Sequence, residues 1–361
     1  MIIAVIIFAL VLSLLIIVHE FGHFIMAKKN KVRVEQFSLG FGPQVFKKKK
    51  GDTEYSVSLL PLGGFVKMSG DDPAEYKGKD YEYLSKSCWQ RFQIIFFGPL
   101  LNYILGFLLF WFIFFAGYPS LTSKVGGLIE GYGAQEAGLK AGDKVISVDK
   151  VKVDSWVELQ KEVQKNKSAE KVELLVLRNN VQMPFSVRIR EKAFDEKPGV
   201  KRSIAIIGIT PFDEVVKARH GFFQAAWLGA KKTFELTLLT YNGLWQLITG
   251  RMSMRESMTG PLGIFFITSS VANMGIIAVL HLVAVLSLSL AIFNLLPLPV
   301  LDGGHIFLLV LEKIRKKALS INADRIVNNI GFTMIITLAI FVTYNDILRA
   351  YGDKLSKFFG H

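Results

Sequence analysis

Residues 1–27 read MIIAVIIFALVLSLLIIVHEFGHFIMA, and a basic group follows at once with Lys28, Lys29, Lys31 and Arg33. The first 18 residues carry no charge. A helix that crosses a bilayer needs about 20 mainly apolar residues, and this stretch supplies about 25. A cleaved signal peptide would show a basic start, a shorter apolar core and a small-residue cleavage site, and this stretch shows none of these. The stretch therefore predicts a first membrane-spanning helix.

The composition of the whole chain also indicates a membrane protein. Of its 361 residues, 51% are hydrophobic and 29 are Phe, which is not typical of a soluble protein. The single cysteine, Cys88, excludes an internal disulfide framework and zinc sites built from several thiolates. The net charge of +13 is interpreted as topology and not as nucleic-acid binding, because membrane proteins collect Lys and Arg on their cytoplasmic loops.

Three further apolar stretches predict three more spans, at about residues 92–117, from 275 through 301 and beyond, and at 330–342. Basic residues cluster between spans one and two and between spans three and four, so both loops are expected in the cytoplasm. We therefore expect a multi-pass protein of a bacterial inner (cytoplasmic) membrane. Both termini and the long insert are expected on the periplasmic or extracellular side.

The insert has the pattern of a small α+β domain. Strand-like segments cover residues 125–129, 144–148, 171–177 and 181–189. A hairpin turn is expected at Asn179-Asn180, and Asp154 or Ser155 is expected to cap a helix that runs to about Lys165.

One segment of the insert resembles a known module. Residues 137–146, AGLKAGDKVI, resemble the Ala-Gly-Leu-x-x-Gly-Asp segment of bacterial PDZ domains. Such a fold implies an exposed sheet edge that accepts an extended peptide. Another small β-rich domain is the alternative.

Residues 222–250 combine an apolar pattern with Lys231, Lys232 and Glu235. This pattern favours an amphipathic helix at the membrane interface over a fifth span, which would invert everything after it. The predicted domains are the first membrane part (1–117), the PDZ-like domain (118–200), an interfacial linker region (201–274) and the second membrane part (275–361).

The first span contains His19, Glu20 and His23 in the order HEFGH, which is the HExxH motif. The four-residue spacing puts both imidazoles on one helix face, where they can share Zn²⁺, with Glu20 beside them as a general base. Each ionisable residue in a span costs roughly 2.5 to 3.5 kcal/mol on insertion scales, so such residues are rarely kept without a function. The motif therefore predicts a zinc site inside the membrane, and the alternative is a pair of histidines that only hydrogen-bond to neighbouring helices.

A third ligand is predicted at Asp302, which lies in the hydrophobic run of the third span. Helical rise places Asp302 roughly 15 Å inside the cytoplasmic boundary and His19 roughly 13 Å inside it, so the depths agree. Pro297 and Pro299 interrupt this span, and irregular backbone at membrane depth is tolerated only where it lines a cavity. A His₂Asp set with an open fourth position is the catalytic type of zinc site.

The order of these motifs resembles one family. HExxH in the first span, residues 97–102 (FGPLLN) in the second, the PDZ-like insert, and residues 294–304 (NLLPLPVLDGG) closely resemble the site-2 protease family, in its bacterial RseP-type branch. The implied fold is a polytopic α-helical membrane protein with about four transmembrane helices, a membrane-dipping β-hairpin and an inserted PDZ-like α+β domain.

The resemblance implies roles for five of the matching residues. His19, His23 and Asp302 would bind zinc, Glu20 would be the catalytic base, and Asn294 would position the substrate backbone.

The resemblance also implies that residues 61–67, PLGGFVK, belong to the hairpin and pair with the substrate. Alternation at residues 55–60 and the adjacent glycines support a strand that allows close backbone approach. The further candidate substrate-binding residues are Gly63, Gly64, Pro297 and Pro299.

The predicted activity is hydrolysis of peptide bonds within single-span membrane proteins already shortened on the outer side, such as anti-sigma factors or remnant signal peptides. The lipid bilayer and a peptide or substrate ectodomain at the PDZ-like domain are the other expected partners, and nucleic acid is not expected. Two alternatives are a metal transporter, which should show paired repeats, and an inactive membrane scaffold.

Overall fold

The computed structural model describes residues 2–197, 200–253, 259–316 and 321–359. The chain divides into two compact units. The first, here called the membrane unit, combines Met1–Ile113 with Ala225–His361, and the second, here called the inserted unit, is Phe114–Gln224.

Helices and strands follow one another along the chain, with a long connection between Met68 and Cys88. The first half contains α1 (Ile2–Lys29), β1 (Val34–Lys50), β2 (Thr53–Met68), α2 (Cys88–Ala116), β3 (Tyr118–Leu121), β4 (Val125–Leu128), α3 (Gly133–Glu136), β5 (Lys144–Val148), β6 (Val151–Lys152), α4 (Trp156–Lys165) and β7 (Lys171–Arg178). The second half contains β8 (Val181–Arg188), β9 (Arg190–Lys197), β10 (Val200–Ile206), β11 (Ile209–Pro211), β12 (Val215–Ala218), α5 (Phe222–Ile248), α6 (Pro261–Ala272), α7 (Ile276–Asn294), α8 (Asp302–Arg315) and α9 (Ile321–Phe359).

Four helices in the described part of the chain are long and apolar enough to cross a membrane: α1, α2, α7 and the Asn329–Arg349 part of α9. These four candidate helices match the positions of the four predicted spans. The third span differs in detail, because its helix ends at Asn294 and a new helix begins at Asp302. Pro297 and Pro299 cause the break, since proline lacks the amide hydrogen that an inner turn of a helix requires.

The hairpin of β1 and β2 is antiparallel, and its register shifts several times. Residues 36–39 lie opposite both residues 54–57 and residues 64–67. The end of β2 therefore forms an edge of this small sheet. That edge lies against α1, because a side chain at Gly64 would come within 3.0 Å of Ile16 and 3.4 Å of Glu20. The side chains of residues 60–62 lie outside the described part.

Helix α5 runs antiparallel to α2. The position of a Cβ on Gly229 would lie 2.8 Å from the backbone nitrogen of Trp111, and Thr237 Oγ1 lies 3.0 Å from the hydroxyl of Tyr103. Both pairs are eight residues apart, so the helices run side by side for about 12 Å. This packing differs from the predicted helix in the plane of the interface, since α5 follows a candidate span along its axis. Its exposed apolar side chains include Phe223, Trp227, Phe234, Leu239, Trp245 and Ile248.

Helix α6 is held at its start by α9. The carboxylate of Asp346 accepts hydrogen bonds from the backbone amides of Gly260 at 3.2 Å and Gly263 at 2.8 Å. The first turn of any helix leaves amide groups without an intrahelical partner, and Asp346 satisfies two of them here. Further along, Phe265 meets Phe8 of α1 edge to face, with ring centroids 5.6 Å apart.

The inserted unit is built on a four-stranded sheet in the order β6-β5-β7-β8, covered by α4. The predicted strands occur as β4, β5, β7 and β8. Asn179 and Asn180 form the turn with φ of 49° and 64°, and Ser155 caps α4 in a capping box with Glu158. The buried core consists of Val145, Val148, Leu159, Val163, Val172, Leu174, Val176 and Val187, with further members.

The inserted unit is larger than the predicted domain at 118–200. Strands β11 and β12 pair with β4 and β3, so the chain up to Gln224 belongs to this unit and not to the predicted linker at 201–274. These partners are far apart in the sequence, and pairing at such a distance leaves little local signal.

A buried ion pair stabilises the loop before β5. Asp143 accepts two hydrogen bonds of 2.7 Å from Arg178 and one of 2.8 Å from the amide of Lys140. Burial of the carboxylate raises the pKa of Asp143, but these hydrogen bonds outweigh burial and hold the pKa below its usual range. The Gly-Asp of the PDZ-like segment therefore has a structural role in this loop.

Candidate metal centre

Three side chains from α1 and α8 converge on one point in the membrane unit. His19 Nε2 lies 3.1 Å from one carboxylate oxygen of Asp302, and His23 Nε2 lies 3.5 Å from the other. The two Nε2 atoms are 3.2 Å apart. Both histidines are 9% exposed. The structure thus brings together the three residues that the sequence predicts as ligands.

The donor set and its spacing fit zinc. In a tetrahedral site with bonds of 2.0 to 2.2 Å, neighbouring ligand atoms lie roughly 3.3 to 3.5 Å apart. The two Nε2 atoms lie close to this separation at 3.2 Å, and each of them lies 3.1 or 3.5 Å from a different oxygen of Asp302. With one ligand atom taken from each residue, the three atoms lie within 4.8 Å of one another. Two imidazole nitrogens and a carboxylate at this spacing repel one another unless a proton or a cation lies among them. Two His and one Asp leave a fourth tetrahedral position open, as in catalytic zinc sites.

His23 is oriented by α2. Its Nδ1 donates a hydrogen bond to the backbone carbonyl of Ile94 at 2.9 Å, so its Nε2 carries the lone pair that faces Asp302. The ring fits against α2 only because residue 98 is glycine, since a Cβ there would overlap the imidazole. Likewise, a Cβ on Gly22 would overlap the carbonyl of Phe97. The glycines let the two helices approach closely at the candidate site.

Two asparagines flank His19 on opposite sides. Asn102 Nδ2 lies 3.5 Å from His19 Nδ1, and Asn294 Nδ2 lies 3.4 Å from His19 Nε2. Asn294, the last residue of α7, is therefore brought to the candidate site, as the sequence predicts. Asn102 had no predicted role; its sequence signal is a polar side chain inside an apolar span.

Glu20 lies between the three-residue cluster and the edge of β2. Its carboxylate accepts a hydrogen bond from the backbone amide of Val66, and its Cγ lies 3.4 Å from the Cβ position of Gly64. Gly63, one residue before, has φ of +144°, which glycine adopts without a steric penalty. Gly64 is thus brought to the predicted base, and Gly63 supplies the backbone bend beside it.

Asp302 lies at the first position of α8, where the helix dipole favours a carboxylate. The first turn packs back on the preceding loop, because Cβ atoms on Gly303 and Gly304 would overlap the backbone of residues 295–298. Within that loop, Pro299 packs against Gly331 of α9, while Pro297 is exposed.

The other end of α8 is tied to α2, which the sequence does not predict. Arg91 donates a 2.6 Å hydrogen bond to Glu312 in an ion pair whose side chains are 10% and 22% exposed. Cys88 Sγ lies 3.8 Å from the same carboxylate oxygen. Both ends of α8 are therefore fixed, one by the candidate metal centre and one by this pair.

Comparison with known proteins identifies the family. The family model described as peptidase family M50 matches residues 7–338. A relative from Clostridium acetobutylicum is 32% identical over 340 residues, which cover 94% of this chain and 96% of the relative. Regulator of sigma-W protease RasP of Bacillus subtilis is 29% identical, and zinc metalloprotease RasP of Bacillus licheniformis is 28% identical; in both cases 96% of this chain and 99% of the relative are covered.

Among solved structures, the PDZ domain of an SdrC-like protein from Listeria monocytogenes matches 25% of this chain and 86% of its own length, with 21% identity and a TM-score of 0.21.

The family match spans most of the sequence and includes the HExxH and Asp302 segments. This chain therefore belongs to peptidase family M50, the site-2 protease family, and is a zinc metalloprotease.

Proposed function

We propose that this protein hydrolyses peptide bonds inside the membrane-spanning segments of single-span membrane proteins, with zinc held by His19, His23 and Asp302. The convergence of these three side chains at 3.1 to 3.5 Å, on a helix apolar enough to span a bilayer, carries the proposal. A protease centre within a spanning helix acts on chains that enter the membrane. Membership of a zinc metalloprotease family supports peptide-bond hydrolysis as the reaction.

Zinc, when bound, polarises the substrate carbonyl and lowers the pKa of a bound water to about 7. Glu20 accepts a proton from the attacking water as the new C–O bond forms. It then gives that proton to the amine nitrogen as the C–N bond breaks, so the protons balance. The amide of Val66 holds the Glu20 carboxylate in place. The side-chain amide of Asn294, beside His19 Nε2, can donate a hydrogen bond to the substrate backbone.

The substrate must be extended at the cleaved bond, because a helix hides its carbonyl groups in hydrogen bonds. The edge of β2 supports this step. Residues 64–67 pair with residues 36–39 on one side, and Gly64 lies beside Glu20, so a substrate strand that adds to this edge would pass the base. We therefore propose that the hairpin enters the membrane at the depth of HExxH. We also propose that helix-breaking residues in the substrate favour its cleavage.

We also propose the arrangement across a bacterial inner membrane, with both termini and the inserted unit on the periplasmic or extracellular side. The clusters of Lys and Arg in two loops support it. The inserted unit, proposed to be PDZ-like, would restrict access to substrates already shortened outside, or bind an exposed peptide or substrate ectodomain. The name of the Bacillus subtilis relative, a regulator of sigma-W, supports regulated intramembrane proteolysis of anti-sigma factors; remnant signal peptides are the other proposed substrates.

Cleavage of a single-span reporter by the purified, reconstituted protein tests the activity. Glu20→Gln should keep zinc and lower the cleavage rate about 10²-fold or more, the usual contribution of a general base. Glu136→Gln is a matched control, since Glu136 lies in an exposed ion pair of the inserted unit. Undiminished cleavage by Glu20→Gln would remove Glu20 from its proposed role.

Labelling of single cysteines tests the arrangement across the membrane. In a Cys88→Ser background, Lys167→Cys of the inserted unit should react with an impermeant maleimide in intact cells. Lys49→Cys of the hairpin should react only after permeabilisation. The reverse pattern would show that the proposed orientation is wrong.

A further inference from the structure

We propose that Asn102 is a positioning residue for His19: its side-chain oxygen accepts a hydrogen bond from Nδ1–H of His19 and so leaves Nε2 free to bind zinc. The inference deepens the proposed function and rests on the proposed ligand set.

The side chain of Asn102 is fully buried in α2, with 0% exposed. Its Nδ2 is placed 3.5 Å from Nδ1 of His19, and its Oδ1 has no hydrogen-bond partner among the residues that the structure describes. The nitrogen and oxygen of an amide exchange places when the group turns by half a rotation, with almost no change in shape. The turned amide presents Oδ1 to His19.

The chemistry of the ligand cluster selects this orientation. Nε2 of His19 is the ring nitrogen that faces Asp302 at 3.1 Å and His23 at 3.2 Å. A metal ligand needs a lone pair, so in a zinc-binding His19 the proton is on Nδ1. That proton requires an acceptor, and Asn102 is the group beside it. An NH₂ group at the same point would favour the other tautomer, whose Nε2–H cannot bind zinc.

The arrangement repeats what α2 does for the second histidine. Ile94 and Asn102 are eight residues apart, so both lie on one face of α2, with Gly98 between them. The carbonyl of Ile94 orients His23 at 2.9 Å, and Asn102 orients His19 one turn away on α1. One face of α2 therefore supplies an acceptor for each histidine. Groups that orient metal-binding histidines typically change metal affinity by 10- to 100-fold when they are removed.

The backbone at Asn102 is also anchored. Ser287 Oγ donates a 2.7 Å hydrogen bond to the Asn102 carbonyl, which joins α7 to α2 at this level. Ser287 is fully buried but its hydroxyl is bonded to the backbone, not to His19. Ser287→Ala is therefore a matched control for loss of a buried hydrogen bond at the same helix contact.

Zinc affinity, measured by competition with a chelator at fixed pH, tests the proposal without reference to activity. Asn102→Leu, similar in size but without an acceptor, should weaken zinc binding 10- to 100-fold. Asn102→Asp keeps the acceptor oxygen and should remain within a few fold of the native affinity, as should Ser287→Ala. If Asn102→Leu binds zinc like the native protein, or if Asn102→Asp loses as much affinity as Asn102→Leu, the inference is wrong.

A second measurement avoids any variant that fails to fold. In the zinc-loaded native protein labelled with ¹⁵N-histidine, both zinc-bound rings should show a protonated Nδ1 and a zinc-bound Nε2. Zinc binding through Nδ1 of His19 would overturn the proposal. His19→Gln separates the two levels: unchanged zinc affinity there overturns the ligand set itself, whereas lost zinc there with a normal Asn102→Leu overturns only the role of Asn102.

Discussion

Gly98→Ala should damage the zinc site through the close contact of α2 with α1. A Cβ at residue 98 would overlap the His23 imidazole and approach its Cδ2 to 2.9 Å, which is shorter than real Cβ contacts. The ring cannot turn away without losing its 2.9 Å hydrogen bond to Ile94. Either α2 or the ring must therefore move by about 1 Å, and a displacement of that size at a catalytic group costs on the order of 100-fold in rate.

The assay is reporter cleavage together with zinc content and thermal unfolding of the reconstituted protein. Overpacking should cost about 1 to 3 kcal/mol of stability, with cleavage reduced about 100-fold and zinc binding weakened. Gly106→Ala is the matched control. It adds the same methyl group two turns along α2, where the Cβ would meet the Leu288 side chain at 2.6 Å, which is away from the histidines.

Gly106→Ala should lower stability but keep zinc. A Gly98→Ala protein that binds zinc and cleaves the reporter like the native protein would refute the reasoning. The same holds if Gly106→Ala loses zinc to the same extent, because the effect would then not depend on His23.

Three further predictions concern contacts outside the zinc site. Arg91→Gln should destabilise the protein by about 3 kcal/mol in thermal or denaturant unfolding, because it leaves the partly buried Glu312 without its partner. The double variant with Glu312→Gln should recover part of this stability, and no recovery would contradict the pairing. Asp346→Ala should lower the free energy of unfolding by about 1 to 2 kcal/mol through loss of the cap on α6. Asp346→Asn keeps one acceptor oxygen and should lower it less. Equal losses of stability in the two variants would argue against capping. Asp143→Asn should lower the free energy of unfolding at pH 7. Because the pKa of Asp143 is lowered in the native protein, the difference in unfolding free energy between variant and native protein should fade as the pH drops below about 4. A difference that stays constant from pH 7 to pH 2 would exclude this origin.

Local patterns in the sequence predicted much of the fold. The apolar run of α1, the Asn179-Asn180 turn and the Ser155 cap each depend on residues close in the sequence, and each occurs as expected. These local patterns did not predict the boundary of the inserted unit, because β11 and β12 pair with residues about 80 to 100 positions earlier in the chain. The packing of α5 along α2 also depends on contacts between distant residues.

The candidate site likewise combines features that the local sequence predicted with features that depend on tertiary contacts. By itself, the sequence determined that His19, Glu20 and His23 share a helix in the membrane, because their spacing matches the helical repeat and charged groups are costly in lipid. It also indicated Asp302, because this carboxylate lies in a hydrophobic run interrupted by two prolines and at a depth that matches His19. Only the tertiary structure decided that Asp302 meets both histidines, that Gly98 admits the His23 ring, and that Asn102 faces His19. Those facts depend on how separate helices approach one another in space, and the local sequence pattern does not encode that distance.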